Sequence, residues 1–243
     1  MTMLSALPGS QTTMAVQHFL SRLLKGVSWF LLARVASAGS LLVINVLLAR
    51  LLTLQEFGFF VLLLSIVTIV GTVAAVGIGT ACTRTVAEAR ALERWSLLKR
   101  TVLVGFLLTA GIALLLALLA FLWPIPLLLE RVIGRPLSGL ESTCLGVWLV
   151  ALAARITGGY VYRGLQLLAL AALFQGTAGN IIGAVILLLV AWSGQGGGLT
   201  MPLAVMATAA VLAALVCWLD IVRRLRALPA DPRAAGLAIR TFL

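Results

Sequence analysis

The sequence predicts an all-α, polytopic membrane protein: a bundle of six transmembrane helices with both termini cytoplasmic. Three observations carry this. Of 243 residues, 62% are hydrophobic and only 10% are charged, against about 45–50% and about 25% in an ordinary soluble domain. The apolar residues gather into six runs, each near the roughly 20 residues that a helical span needs. The Lys and Arg residues are distributed unevenly around those runs. A water-soluble globule of this length could not hide so much apolar surface. The composition excludes a soluble enzyme, a disordered tail and a disulfide-stapled secreted domain.

Residues 1–27 form a cytoplasmic lead-in. The first 16 are mixed and polar, without the charged n-region of a cleavable signal. Residues 17–27 read as amphipathic, with Phe19, Leu20, Leu23, Leu24 and Val27 on one side and Arg22 and Lys25 off it. The spans follow as Ser28–Leu52, Phe57–Cys82, Thr101–Trp123, Thr143–Val161, Leu165–Trp192 and Met201–Leu219. Pro124 and Pro126 end the third. Arg155 and Gly158-Gly159 weaken the fourth. The fifth, at 28 residues, is long enough to tilt. Gly194, Gly196, Gly197 and Gly198 make a flexible loop before the sixth. Residues 28–222 thus form the transmembrane lobe and 223–243 a basic cytoplasmic tail. Helices are the default because lipid-exposed backbone must satisfy its own hydrogen bonds, and the alternation of a membrane barrel is missing from the sequence.

Orientation follows from the cations. With the N-terminus inside, fourteen of the 18 Lys and Arg fall in inner segments, Arg155 counted among them. Arg50, Arg131 and Arg135 fall outside, and Arg34 lies within the first span. That asymmetry puts both termini in the cytoplasm. Trp29, Trp123, Trp192 and Trp218 fall near expected interfaces, where an amphipathic ring is favoured.

The net charge of +11 would suggest nucleic acid in a soluble protein. Here topology accounts for it, and no nucleic-acid partner is expected. The one histidine, His18, and the scattered Cys82, Cys144 and Cys217 fit no metal or redox spacing. No metal and no cofactor is expected. A phosphate loop, a G-x-S-x-G elbow and an HExxH helix are all missing from the sequence. The seven acids, Glu56, Glu88, Glu93, Glu130, Glu141, Asp220 and Asp231, lie in loops or at span ends. The chain therefore does not read as an enzyme.

Arg34 stands out as the ionisable residue inside a span. A charge there costs at least about 2.5–3.5 kcal/mol on insertion scales, which makes it a functional candidate. Asn45 is eleven residues on, within about 20° of the same helical face. Together they read as a polar face lining a cavity, with the guanidinium suited to an anion such as a phosphate. The alternative is an arginine that snorkels to the nearby inner interface. Ser65, Thr68, Thr72, Gly79 and Thr83 recur on one face of the second span, either as a cavity wall or as close packing through small residues. Gln166, Thr177 and Asn180 share a face of the fifth span, beside a Gly179–Gly183 GxxxG pair. The segment Thr83–Arg100 mixes charges with Trp95, as a headgroup-facing helix in contact with anionic lipid would.

Several short stretches resemble one family. Lys25-Gly-Val-Ser-Trp29, Val46-Leu-Leu-Ala-Arg50-Leu-Leu52 and Glu56-Phe-Gly58 are similar to the opening of the polysaccharide (O-antigen type) flippases. So are Gly77-Ile-Gly79-Thr80, Arg84 and Val86-Ala-Glu88, and the turn Tyr162-Arg163-Gly164-Leu-Gln166. These flippases belong to the multidrug/oligosaccharidyl-lipid/polysaccharide exporter superfamily. The resemblance implies movement of polyprenyl-pyrophosphate-linked oligosaccharide across a bacterial inner membrane. It also implies two similar six-helix lobes around a central, often cationic cavity. The chain matches the N-terminal lobe. Its partners would be the bilayer, the lipid-linked oligosaccharide, and a second lobe or a second copy. Related multidrug antiporters carry an acid in this membrane region. Its absence from the first three spans favours an anionic substrate, for which Arg34 and Asn45 are the candidate binding residues. The rival readings are a non-transporting scaffold or inactive remnant and, less favoured, half of a multidrug antiporter.

Overall fold

A computed structural model of the chain describes residues 9–122, 138–193 and 198–228. It is an all-helical bundle with six helices long and apolar enough to cross a membrane. They are α1 (Gly9–Leu51), α2 (Leu54–Ala91), α3 (Trp95–Leu122), α4 (Gly139–Gly164), α5 (Leu168–Trp192) and α6 (Thr200–Arg226). The bilayer expectation explains the surface: Leu31, Leu42, Leu103, Leu107 and Leu188 stand exposed, as lipid-facing side chains do.

Local sequence sets the helix starts. Thr53 caps α2 and Ser138 caps α4, each accepting from the backbone N–H of a glutamate three residues on, Glu56 and Glu141. Each glutamate in turn accepts from its cap residue's backbone N–H, at 3.0 Å for Glu56 and 2.9 Å for Glu141. These capping boxes satisfy donors that the first helical turn leaves orphaned. Glu141 is buried, and Thr200 donates to its Oε1 at 3.3 Å, which joins the start of α6 to the start of α4.

α4 is the hub, packing on α2, α3 and α6 and on the start of α5. α5 also carries α1, which barely touches α2. Going round the bundle from α1 through α5 and α4 to α2, the ring is open between α2 and α1. Contact pairs give the directions. Ala33 meets Thr177 and Ser37 meets Asn180, so α1 and α5 run parallel. Gly71 faces Leu152 and Gly79 faces Tyr160, so α2 and α4 run parallel. Thr109 bonds Thr157 and Gly146 faces Ala117, so α3 and α4 are antiparallel. The helices therefore alternate, and Arg84, Arg90, Arg94, Lys99, Arg100, Arg163, Arg223, Arg224 and Arg226 gather at one end, termed here the basic end.

Three layers of core fill the bundle. Far from the basic end, Leu48, Leu52, Phe60, Trp148, Leu187 and Leu203 form a large apolar cluster. The middle is tight and small, with Ala74, Ala113 and Ala153 together. Beside it the buried Thr157 hydroxyl donates to the Thr109 hydroxyl at 3.0 Å. Towards the basic end Val86, Leu98, Val161, Phe174, Cys217 and Ile221 pack around Tyr162. The Tyr162 hydroxyl lies 2.7 Å from Asp220 Oδ2, and Arg224 Nε donates to the same oxygen at 2.6 Å.

The helices outrun several sequence boundaries. α2 continues to Ala91, and the mixed-charge segment after Thr83 is largely its last turns, followed by a short turn with Glu93 at φ 53°. α1 is one helix from Gly9, so residues 9–27 are continuous with the first span. Gln166 does not share a face of α5 with Thr177 and Asn180. It sits in the α4–α5 turn at φ 58°. Trp218 is drawn into the bundle, its Nε1 donating to Ala154 O at 3.1 Å and its ring 4.2 Å from that of Phe106. Trp192, 86% exposed at the end of α5, fits the interfacial expectation. Trp123, Pro124, Pro126 and residues 229–243 lie outside the described residues.

Candidate functional site

The open side of the ring is where polar groups collect. Ser65, Thr68 and Thr72 are exposed on one face of α2, each hydroxyl donating to the carbonyl one turn back. Such back-bonding satisfies a hydroxyl inside a membrane helix without a partner helix. Farther along the same face, Gly79 accepts the ring of Tyr160, and a Cβ there would overlap that ring. Thr83 donates to the Tyr160 carbonyl at 3.1 Å. The small-residue stripe of α2 therefore divides: its first half is open, its second half packs on α4.

α4 and α5 form the floor towards the basic end. The Arg163 guanidinium lies 5.4 Å over the Tyr160 ring and donates to the Gln175 side-chain oxygen. Gln175 stands opposite Gly159, where any side chain would collide with it. It belongs to a π-helical turn, Leu173–Thr177. That turn frees backbone geometry which Thr177 uses: its hydroxyl bridges Ala172 O at 3.3 Å and Ala33 O of α1 at 2.9 Å. Single π-turns of this kind concentrate at functional sites.

Arg34 is exposed on α1 and Asn45 is partly buried. α1 is unbroken between them, so the eleven-residue spacing keeps them on one side of the helix. Leu52, just past the end of α1, joins the core that holds Phe60 and Leu63 of α2. Ala33 and Ser37 mark the face of α1 that rests on α5, and Arg34 and Asn45 stand to one side of that face. Ser37 and Thr177, by contrast, are used in packing: Asn180 Nδ2 donates to Ser37 Oγ at 3.2 Å, and Thr177 holds Ala33.

The sequence reading missed Arg155. Counted there with the inner-segment cations, it lies deep within α4 and is 7% exposed. Arg34 is thus not the one ionisable side chain well inside a span, and the inner count falls from fourteen to thirteen. The Arg155 guanidinium lies against α5 at Gly179, where a Cβ would strike its Nη1. Its buried Nε has no hydrogen-bond partner. An unsatisfied, buried, charged donor is costly, and membrane arginines ordinarily face a bundle interior or a water-filled cavity. The signal was present in the sequence. Arg155 stands sixteen residues from the start of α4 and nine from its end, too far from either to be a loop cation. Arg34 is one residue past Ala33, which meets Thr177, and Arg155 meets Gly179. Both arginines therefore stand at nearly one level of α5.

Two further clefts lie away from this side. A groove of about 580 Å³ between α3, α4 and α6 is lined by Phe106, Leu114, Gly146, Val150, Ala154 and Trp218 among others, with no charged residue. It is the larger of the two, and its lining is mainly apolar, with Ser142 and Thr143 the hydroxyl side chains in it. A second of about 410 Å³ lies between α2 and α3 near the basic end. Among the described residues no group of three or more His, Cys, Asp and Glu could hold a metal ion.

A family model described as Polysaccharide biosynthesis protein matches residues 23–236. Curated proteins and solved structures give no match to the chain. The family match spans all six membrane helices and every residue of the open polar side. The chain therefore belongs to the polysaccharide biosynthesis protein family, as one of its multi-pass membrane members.

Proposed function

We propose that the chain is a six-helix lobe of a flippase that moves polyprenyl-pyrophosphate-linked oligosaccharide across a bacterial inner membrane. The observation that carries this reading is the pair of arginines at nearly one level of α5, Arg34 exposed on α1 and Arg155 buried in the bundle interior with an Nε that has no hydrogen-bond partner. A pyrophosphate is the kind of ligand a planar, permanently charged guanidinium is suited to meet. Arg34 and Asn45 are the candidate contacts on α1. Arg155, with the Tyr160–Arg163–Gln175 cluster below it, supplies positive charge from α4. The basic end is cytoplasmic by the positive-inside rule. An anionic headgroup would enter there, past Arg163, and climb towards Arg34 and Arg155.

The mechanism is alternating access, in which this lobe rocks against a second lobe or a second copy around the open side. The chain acts as a transporter and carries out no bond-making step. The test is surface polysaccharide in a strain whose export depends on this protein, with Arg34→Gln and Arg155→Gln compared with wild type at equal membrane insertion. Loss of export in both, with Lys restoring part of it, supports the reading. Export unchanged by either substitution overturns it and leaves the scaffold reading.

A further inference from the structure

The α2–α3 cleft differs from the larger groove in one respect: it has a cation at its mouth. Arg100 lines it, with Thr101 and Thr85 beside it. Below them the walls are apolar, among them Ile78, Val104 and Leu108. Arg100 is exposed, and among the described residues it has no ion-pair partner. Arg90 in the same region is engaged, donating to the Leu165 carbonyl. From Arg100 to Leu108 the cleft descends about 12 Å along α3. The unbroken apolar run begins at Thr101, within a candidate span of Trp95–Leu118, which sets Arg100 near the headgroup end of that span and Val104 and Leu108 deeper in it. Residues 84–100 carry five Lys/Arg against two Glu, a field that attracts negative lipid.

We propose that this cleft is a binding site for one anionic glycerophospholipid. The phosphate sits at Arg100 and Thr101, and one acyl chain runs down between Ile78 of α2 and Leu108 of α3. Charge complementarity selects the ligand. A zwitterionic lipid gains the same apolar contact but offers no net charge to Arg100, and the uncharged α3–α4–α6 groove takes chains without regard to headgroup. The site is separate from the open side between α1 and α2 and does not depend on the transport reading.

The test is native mass spectrometry of the full chain in detergent, titrated with dioleoyl phosphatidylglycerol or dioleoyl phosphatidylcholine. The expected result is one retained phosphatidylglycerol per chain, bound about fivefold or more tightly than phosphatidylcholine. That is the factor for one basic contact at a membrane surface. Arg100→Gln removes the preference. Ala81→Leu, which fills the cleft wall without changing charge, weakens binding of the retained lipid. Lys99→Gln, next to Arg100 but outside the lining, retains both. Equal retention of the two lipids overturns the proposal. So does a Lys99→Gln loss as large as that of Arg100→Gln, which would mean diffuse surface charge. Displacement of phosphatidylglycerol by inorganic phosphate at equal concentration also overturns it, in favour of a free-anion site. Should Arg100→Gln fail to insert, Ala81→Leu decides: phosphatidylglycerol held at wild-type affinity refutes the site.

Discussion

Arg155 and Gly179 define each other. The glycine leaves space for the guanidinium against α5, since a Cβ there would overlap Nη1. Gly179→Ala is therefore expected to displace Arg155 and to reduce export much as Arg155→Gln does. The double variant should lose little more than either single one, because both act on one group. Additive losses in the export assay would mean that the two residues act separately. A smaller effect is expected at Tyr162, whose hydroxyl links α4 to Asp220 on α6. Tyr162→Phe removes that link and leaves the packing, which should cost about 1 kcal/mol in a detergent melt.

At the scale of helices, glycines separate close packing from open surface. A Cβ at Gly164 would sit 2.9 Å from the Thr83 carbonyl oxygen and 2.8 Å from Val86 Cβ, so α2 and α4 must part to admit it. Gly164→Ala is expected to destabilise by about 1–3 kcal/mol, as overpacking does. Gly39 on α1 has nothing within 4 Å of its would-be Cβ. Gly39→Ala should be neutral or gain up to about 1 kcal/mol from helix propensity. Thermal melts of the two variants check the contrast, and a Gly39→Ala variant as unstable as Gly164→Ala would refute the packing assigned to α1. The buried Thr109–Thr157 bond is worth less than its burial suggests. Interhelical hydrogen bonds in membranes average about 0.6 kcal/mol, because the separated helices also find partners.

For the whole molecule, the open side between α1 and α2 and the lipid-facing surface of α3 should differ in water access. With the native cysteines replaced, Thr72→Cys on the open face of α2 is expected to react with a water-soluble maleimide. Leu107→Cys on the outward face of α3, 58% exposed, should stay unlabelled in lipid. Labelling of both positions alike would argue against a hydrated cavity. No labelling of Thr72→Cys would remove the physical basis for an anionic substrate on that side.

The sequence by itself determined the class and the count. Six apolar runs and the scarcity of charge specify a helical membrane bundle, because a backbone in lipid can satisfy its hydrogen bonds only within each helix. The capping boxes at Thr53 and Ser138 went unread, although each is a local pattern with a glutamate three residues on. Helix ends such as Ala91 were less legible, because α2 continues past the apolar run on contacts that run length does not report. The site was legible only in part. Helical spacing put Arg34 and Asn45 on one side of α1, which an unbroken helix preserves. Which face of α1 packs was decided by α1 resting on α5 and hardly on α2. Arg155 was placed inside the fourth span yet counted with the inner cations, because position along a run does not report burial between helices. Its burial depends on Gly179, twenty-four residues away in sequence, and on α6 closing behind α4. Tertiary packing alone brings those groups together, since the space the guanidinium fills exists only once α4, α5 and α6 have met.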